Sequence, residues 1–294
     1  MIKKVINKMK SVKRRILLLK DRLIYNIKRP EMRVLPGELS FFFFMTLIPL
    51  IAVIGGIVSL IDLPYSSVSD LLNSFFPDGT AMLLETISVK IDLNLNLVVF
   101  FASALILASN GPHSMIVASN QIYKIKDRSY LKRRLKALLM TIVLLVLLLF
   151  VLFIPVFGDT IFNFITYLVG TSVGFKTFIL ACYKILKYPL SFVFIYWLIK
   201  ILYILAPDKR IEHHNVVYGS LFTSAAWVIV TQIYSWYIEN FSNYATFYGS
   251  ISNILILMMW LYFISYIFVL GMALNVTKYE LNIKNIKESE EKSN

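Results

Sequence analysis

The stretch from Leu97 to Lys136 combines an apolar span, a break at Asn110-Gly111-Pro112-His113 and a basic loop. Polar, helix-breaking residues at membrane depth persist only where protein or a water-filled cavity satisfies the freed backbone. The pKa of a histidine side chain ordinarily lies near neutrality, so a proton can be exchanged there. These residue types predict a polar pathway through a membrane, formed by Thr46, Asn110, His113, Asn120 and Asn253.

A second explanation of the same residues needs no substrate. Asn and Ser side chains commonly hydrogen-bond between packed membrane helices, and such bonds stabilise a bundle without lining a path. On this interpretation Pro112 is a satisfied kink. The sequence leaves both explanations open.

Residues for metal or nucleotide chemistry are sparse. The three histidines are scattered, the acids lie mainly in segments predicted to be outside, and Cys182 has no partner thiol. No Gly-x-x-x-x-Gly-Lys phosphate loop occurs in the sequence. We therefore expect no enzyme activity, no cofactor and no metal. His213 and His214 are interpreted as surface histidines.

Composition places these residues in a membrane. Hydrophobic residues make up 58% of the 294, and the mean hydropathy is +0.70, whereas soluble domains are roughly 45–50% apolar. A net charge of +13 would favour nucleic acid in a soluble chain. Here the cations lie between hydrophobic spans, where they set topology and meet anionic lipid. We expect an all-α multi-pass membrane protein and no nucleic-acid partner.

Six apolar stretches have membrane-crossing length, about 20 residues each. The first runs from Leu39 to Leu60, the second contains the break at Asn110, and the rest lie within 137–157, 178–205, 217–237 and 250–275. Segments on one side hold 12, 7, 2 and 4 Lys and Arg residues, against 1, 1 and 0 on the other. Because such cations stay in the cytoplasm, both termini are predicted to be cytoplasmic.

Residues 1–30 predict a basic amphipathic helix on the membrane surface. Apolar residues recur at three- and four-residue steps from Ile2 to Leu23, and cations fill the remaining arc. Pro30 and Pro36-Gly37 are predicted to end this helix. The resulting organisation is a surface helix over 1–30, a six-helix transmembrane domain over 31–276 and a polar cytoplasmic tail over 277–294. The expected partner is the lipid bilayer, with anionic lipids at the N-terminal helix, and homo-oligomerisation is left open.

Several separated motifs occur in a fixed order along the chain. They are Ser40 to Pro49, Asn120 to Tyr123 leading to Arg128, Tyr203 to Pro207 with Gly219, Tyr248-Gly249-Ser250, Trp260-Leu261-Tyr262 and Gly271 through Asn275. On these motifs, residues 30–276 resemble the YihY/BrkB family of bacterial inner-membrane proteins, some of which carry a historical ribonuclease BN label. The resemblance implies a six-helix fold in a bacterial plasma membrane and does not define a reaction. Met272-Ala273 departs from the Ala-Glu that relatives often have there.

Simple structural roles are also open to the motif residues. Tyr248, Trp260 and Tyr262 fit interface anchors and packing aromatics, and Gly249 and Gly271 fit close approach or helix termination. Asn275 fits a cap at the inner end of the sixth crossing.

Three functions follow in order of preference. The first is a transporter-like or export-associated membrane protein without its own ATPase, and the alternative is a non-transporting scaffold that organises lipid or envelope partners. A ribonuclease is third, because no metal-ligand cluster is present in the sequence. A transporter predicts a polar cavity near mid-membrane between the second and sixth crossings, whereas a scaffold predicts a dry interior.

Overall fold

The computed structural model describes residues 20–60, 96–147, 189, 192–241 and 249–290, and these residues form helices and no strand. A 3-10 turn, Gly249–Ile251, precedes the last helix. The helices are α1 (20–27), α2 (Glu31–Leu60), α3 (Asn96–Ala108), α4 (Asn110–Tyr123), α5 (130–147), α6 (Phe192–Leu205), α7 (His213–Phe241) and α8 (Ser252–Glu290).

Four helical stretches are long and apolar enough to cross a membrane. They are Glu31–Ile54, Val99–Tyr123, His213–Ile238 and Ser252–Asn282. The all-helical class is therefore confirmed for the described residues, and six crossings stays a prediction. Most of the predicted surface helix, the acidic segment 61–95 and Tyr248 lie outside the described residues.

The helix α8 lies at the centre of the described bundle. It packs against α7 and α2, and α2 packs in turn against α3 and α4. Phe268 of α8 is fully buried, with its ring 4.7 Å from that of Tyr203 and 6.5 Å from that of Phe43. A second apolar cluster, built around Ile51 and Trp260, fills the other half of the bundle.

Large apolar side chains also cover the outside of the helices. Ile106, Leu107, Leu139, Leu221 and Ile229 are all exposed. Contiguous apolar surface of this kind is rare on soluble monomers, whereas hydrocarbon chains contact it without penalty. The outward faces therefore fit a lipid environment.

The start of α2 differs from the prediction. Helix α2 begins at Glu31 and contains Pro36 and Gly37, so the prediction that Pro36-Gly37 ends the first helix was wrong. The chain turns instead at residues 28–30. A proline early in a helix removes one backbone hydrogen bond, and the buried side chains of Leu35 and Leu39 offset that loss through packing.

Candidate functional site

The predicted break in the second crossing is a one-residue interruption of the helix at Ser109 rather than an end, and we call it the bend. Only Ser109 separates α3 from α4. Its N–H donates to Leu105 O at 3.0 Å, and its carbonyl accepts from His113 N–H at 3.0 Å. Because Pro112 has no N–H, the hydrogen-bond ladder is interrupted at that residue.

A threonine from α2 accepts a hydrogen bond from the backbone at the bend. Gly111 N–H donates to Thr46 Oγ1 at 2.7 Å, and a Cβ added at Gly111 would lie 2.8 Å from the same oxygen. Glycine is therefore required here so that α2 and α4 can approach closely. Thr46 acts as a hydrogen-bond acceptor between two helices.

A cation from α5 reaches the same bend. Arg134 Nη1 donates to Asn110 Oδ1 at 2.9 Å, and its Nη2 donates to Ile106 O at 2.7 Å. Beside it, the His113 ring lies edge-on to Tyr130, 6.0 Å between centroids. His113 Nε2 is buried and has no hydrogen-bond partner within the described residues. We call Asn110, His113, Tyr130 and Arg134 the bend cluster.

A second polar group surrounds Asp208, whose side chain is 1% exposed. Lys136 Nζ lies 2.9 Å from Asp208 Oδ1, and Asn120 Nδ2 donates to Asp208 Oδ2 at 2.8 Å. Asn120 Oδ1 accepts the backbone N–H of Asp208 at 2.9 Å, and Arg128 Nη2 donates to Asp208 O at 2.8 Å. We call Asn120, Arg128, Lys136 and Asp208 the Asp208 junction.

The Asp208 junction ties together the ends of two helices. Lys136 Nζ also donates to Ala206 O at 2.9 Å and Pro207 O at 2.8 Å, and a cation at the end of α6 is favourable because free carbonyls point there. Arg29 does the same for α4, donating to Ile122 O at 2.9 Å. The loops after α4 and α6 are thereby held against each other.

Burial and pairing shift the pKa of the Asp208 carboxyl in opposite directions. Burial by itself raises the pKa of its carboxyl, but hydrogen bonds from Lys136 and Asn120 outweigh it and hold the pKa below the ordinary value. Burial lowers the pKa of Lys136, and the bond to Asp208 opposes this in part. The pairing therefore favours the charged form of both groups.

A third polar group lies where α7 crosses α8. Gly219 N–H donates to Asn275 Oδ1 at 2.8 Å. A Cβ added at Gly271 would collide with Thr223 Oγ1 and Tyr203 OH. The Tyr203 hydroxyl donates to Phe268 O at 2.8 Å and lies 2.7 Å from Thr223 Oγ1. This crossing is therefore close because both glycines lack side chains.

The five predicted pathway residues do not all meet. Thr46, Asn110 and His113 come together at the bend, whereas Asn120 belongs to the Asp208 junction with its amide fully engaged. Asn253 lies at the start of α8, about 33 Å along that helix from Asn275 at 1.5 Å per residue. The described residues give no hydrogen bond that joins Asn253 to the bend.

Most of the family-motif residues have packing roles. Pro49 lies inside α2, Tyr123 is buried edge-on to Tyr279, and Trp260 Nε1 donates to Thr231 Oγ1 at 3.1 Å. Tyr262 is exposed. Gly249 has φ +54°, a conformation that glycine adopts readily before a helix begins.

Asn275 is not a helix cap, because α8 continues to Glu290. Sequence reasoning missed that its partner is Gly219 on another helix, and it also missed Arg134, Lys136 and Asp208. Asp208 carried one usable signal: it is an acid flanked by Pro207 and Lys209 in a short basic loop.

A surface cavity of about 730 Å³ lies at the loop between α6 and α7. It is lined by Ile204, Arg210, Ile211, Glu212, His213 and His214. Both histidines are exposed, and His214 Nδ1 lies 3.3 Å from Glu212 Oε2. Within the described residues no group of three or more His, Cys, Asp or Glu side chains could hold a metal ion. The expected absence of a metal remains a prediction.

Comparison with known proteins finds several relatives of this chain. The chain is 29% identical over 243 residues to the ribonuclease-like protein YfkH of Bacillus subtilis, covering 81% of this chain and 87% of the relative. It is 26% identical over 245 residues to a UPF0761 membrane protein of Chlorobium phaeobacteroides, covering 77% of this chain but 49% of that relative.

A UPF0761 membrane protein of Idiomarina loihiensis is 27% identical over 111 residues, 38% of this chain and 37% of the relative. The chain thus spans about half or less of the length of these two UPF0761 relatives. No solved structure matches it significantly. The sequence model described as "Virulence factor BrkB" matches residues 23–293. This chain belongs to the BrkB family of membrane proteins.

Proposed function

We propose that this protein is a six-crossing protein of the bacterial plasma membrane that moves a substrate through the bend in its second crossing, without an ATPase of its own. Both termini face the cytoplasm, and the basic N-terminal helix lies on the anionic inner leaflet. The BrkB family match and the four apolar helices support the membrane part of this proposal.

Contacts at one end of the bundle support the orientation. Among the described residues, four segments that carry cations contact one another there. Arg29 binds Gln121 O, Asn120 binds Asp208, and Asn26 Nδ2 donates to Thr277 Oγ1 at 3.0 Å. Since basic segments remain on the cytoplasmic side, this end is the cytoplasmic one.

The bend cluster carries the transport proposal. Ionisable side chains in a crossing are costly in lipid and typically mark substrate or proton pathways. Here a guanidinium, an imidazole and a carboxamide gather where a helix bends, and His113 presents a buried nitrogen that no described residue satisfies. Discontinuous helices with such groups are typical of transporter binding sites.

The test uses the single cysteine of the chain. A Cys182→Ser protein provides a cysteine-free background, into which His113→Cys, Leu107→Cys and Lys126→Cys are introduced one at a time. Membrane-impermeant thiol reagents are applied to right-side-out and inverted vesicles, and the labelled fraction is measured.

Transport predicts that water reaches position 113. His113→Cys is labelled, Leu107→Cys on the lipid-facing surface is not, and Lys126→Cys is labelled from the cytoplasmic side only. Labelling at position 113 no greater than at position 107 would refute the pathway. Labelling of position 126 from the outside would refute the orientation.

A scaffold is the second candidate, and the α7–α8 crossing favours it. Gly219, Gly271 and Asn275 make a close contact whose polar atoms pair between helices, as expected of polar groups that only hold a bundle together. Protection of position 113 from reagent in every preparation would support the scaffold.

The ribonuclease-like name of the Bacillus relative keeps hydrolysis as a third candidate. Purified protein incubated with labelled RNA, with and without a chelator, tests it. Cleavage that disappears in a His213→Ala, His214→Ala double variant would establish an RNA-cleaving enzyme in place of our proposal.

A further inference from the structure

We infer that the bend cluster, together with Arg133, binds an anionic group of the phosphate or carboxylate class where α3, α4 and α5 meet. This inference rests on the proposed function, because it names the substrate class for the same site. It is carried by a cation for which the described residues supply no carboxylate, and by two buried polar atoms to which they give no partner.

The uncompensated cation is Arg134. A guanidinium has five N–H donors, and Arg134 gives two bonds to neutral acceptors, Asn110 Oδ1 and Ile106 O. Among the described residues, no carboxylate lies within ion-pair distance of it. A partly buried charge without a counter-ion is unfavourable, and an anionic ligand would supply that counter-ion.

The neighbouring arginine is paired but incompletely satisfied. Arg133 Nη1 lies 2.7 Å from Asp127 Oδ2, and its side chain is 16% exposed. Its Nε is buried and has no acceptor in the described part of the chain, and His113 Nε2 is likewise without a partner. Tyr130, Arg133 and Arg134 lie three and four residues apart on α5 and therefore share one face of that helix. This face meets α4 at His113 through Tyr130 and at Asn110 through Arg134.

The chemistry of these donors selects oxyanions. The guanidinium fork matches the oxygen spacing of phosphate and carboxylate, and charge-assisted bonds of this kind are short and strong. With two guanidinium groups and one carboxylate, Asp127, the site carries one excess positive charge. A single oxyanion neutralises it.

The site is open to the bilayer. Ile106, Leu107, Leu131 and Leu135 flank it and are exposed, so the acyl chains of an anionic lipid could lie on these side chains while its phosphate reaches Arg134. A soluble phosphate ester would make the same contacts with the guanidinium. The experiment separates the two sources.

The test measures anion binding by the full-length protein in detergent micelles. Phosphatidylglycerol, phosphatidylcholine and inorganic phosphate are titrated, and bound ligand is measured by native mass spectrometry and by the shift in Tm. The variant is Arg134→Gln. Lys132→Gln is the matched control, since it removes one exposed cation from the same helix.

We expect wild-type protein to bind phosphatidylglycerol saturably and at least about tenfold more tightly than phosphatidylcholine. Because a charge-assisted pair is lost, Arg134→Gln should bind phosphatidylglycerol about tenfold or more weakly than wild type. The affinity of Lys132→Gln should stay within about twofold of wild type. Competition by inorganic phosphate assigns the site to soluble oxyanions, and its failure to compete assigns the site to lipid.

A further variant guards against misfolding. Asn110→Asp replaces the amide oxygen that accepts from Arg134 with a carboxylate, which pairs with the guanidinium. This variant should have a higher Tm without ligand, and it should bind anions about tenfold or more weakly. If Arg134→Gln and Lys132→Gln lost the same amount of anion affinity, binding would reflect general attraction to a basic surface, and the inference would be overturned. Wild-type protein without saturable anion binding would also overturn it.

The two proposals fail separately. Binding that depends on Arg134, with position 113 closed to thiol reagents, would refute transport and leave the anion site. Labelling at position 113 without any saturable anion binding would do the reverse.

Discussion

Lys136 Nζ lies 2.9 Å from Asp208 Oδ1, although 72 residues separate them in the chain. This contact connects the basic loop after α4 to the loop that joins α6 to α7. The ionised Asp208 carboxylate is almost wholly buried, and the Lys136 ammonium group is its counter-ion. The stability of this end of the bundle should therefore depend on one charge.

Replacing Asp208 with Asn should destabilise the protein strongly. It leaves the Lys136 ammonium without its counter-ion, and removing one partner of a buried pair costs about 3 kcal/mol. The free energy of unfolding, measured by denaturant titration in micelles, tests this. Glu212→Gln is the control, because that acid is 72% exposed and its loss should cost less than about 1 kcal/mol. Equal effects of the two changes would contradict a special role for Asp208.

The same carboxylate predicts an acid-dependent loss of stability. The folded-state pKa of Asp208 is lower than its ordinary 3.8, so folding favours the ionised form. That contribution is fully present above the unfolded pKa and is lost as pH falls through the lower folded pKa. Tm measured from pH 7 to pH 2 should show a fall below about pH 4 that is smaller in Asp208→Asn. A fall of equal size in the variant would show that other groups cause it.

Two glycine replacements should change the stability of the protein in opposite directions. Gly271→Ala forces a methyl group against Thr223 and Tyr203, and overpacking of this kind costs about 1–3 kcal/mol. Gly37→Ala meets nothing within 4 Å and lies inside α2, so it should stabilise by about 0.5–1 kcal/mol. Thermal unfolding of both variants measures this. A Gly271→Ala protein at least as stable as wild type would contradict the close α7–α8 crossing, and destabilisation by Gly37→Ala would contradict the open space beside Gly37.

The Thr46 hydroxyl should stabilise the protein because its oxygen accepts the backbone hydrogen bond of Gly111. Thr46→Val keeps the shape but leaves the buried N–H of Gly111 unpaired, which costs about 1–3 kcal/mol. Thr46→Ser retains the hydroxyl and should lose less. Unfolding titrations of the two variants compare them directly, and an equally large loss in Thr46→Ser would point to packing rather than hydrogen bonding.

The position of the bend was predictable, whereas its partners were not. Pro112 removes a backbone donor wherever the helix lies, so local chemistry places the bend near Asn110. The acceptor of Gly111 N–H comes from Thr46, 65 residues away, and the cation on Asn110 comes from α5. Sequence periodicity specifies which face of a helix is apolar, but it does not specify which two helices meet or at what height.

Asn120 illustrates the same limit. A polar residue late in an apolar span predicts a place for Asn120 in the pathway with Asn110 and His113. Its amide instead binds both the backbone and the side chain of Asp208, because the loop after α6 folds back against the end of α4. That arrangement depends on loop closure between distant segments.

The sequence by itself determined the apolar, all-helical class of this protein, its BrkB resemblance and the uneven distribution of its cations, since each follows from local composition and order. Only the tertiary structure decided that Arg134 lies at the bend without a carboxylate among the described residues, that Lys136 and Asp208 pair, and that Asn275 serves Gly219. Contacts of this kind arise from packing between helices, and packing depends on the shapes of all the helices together.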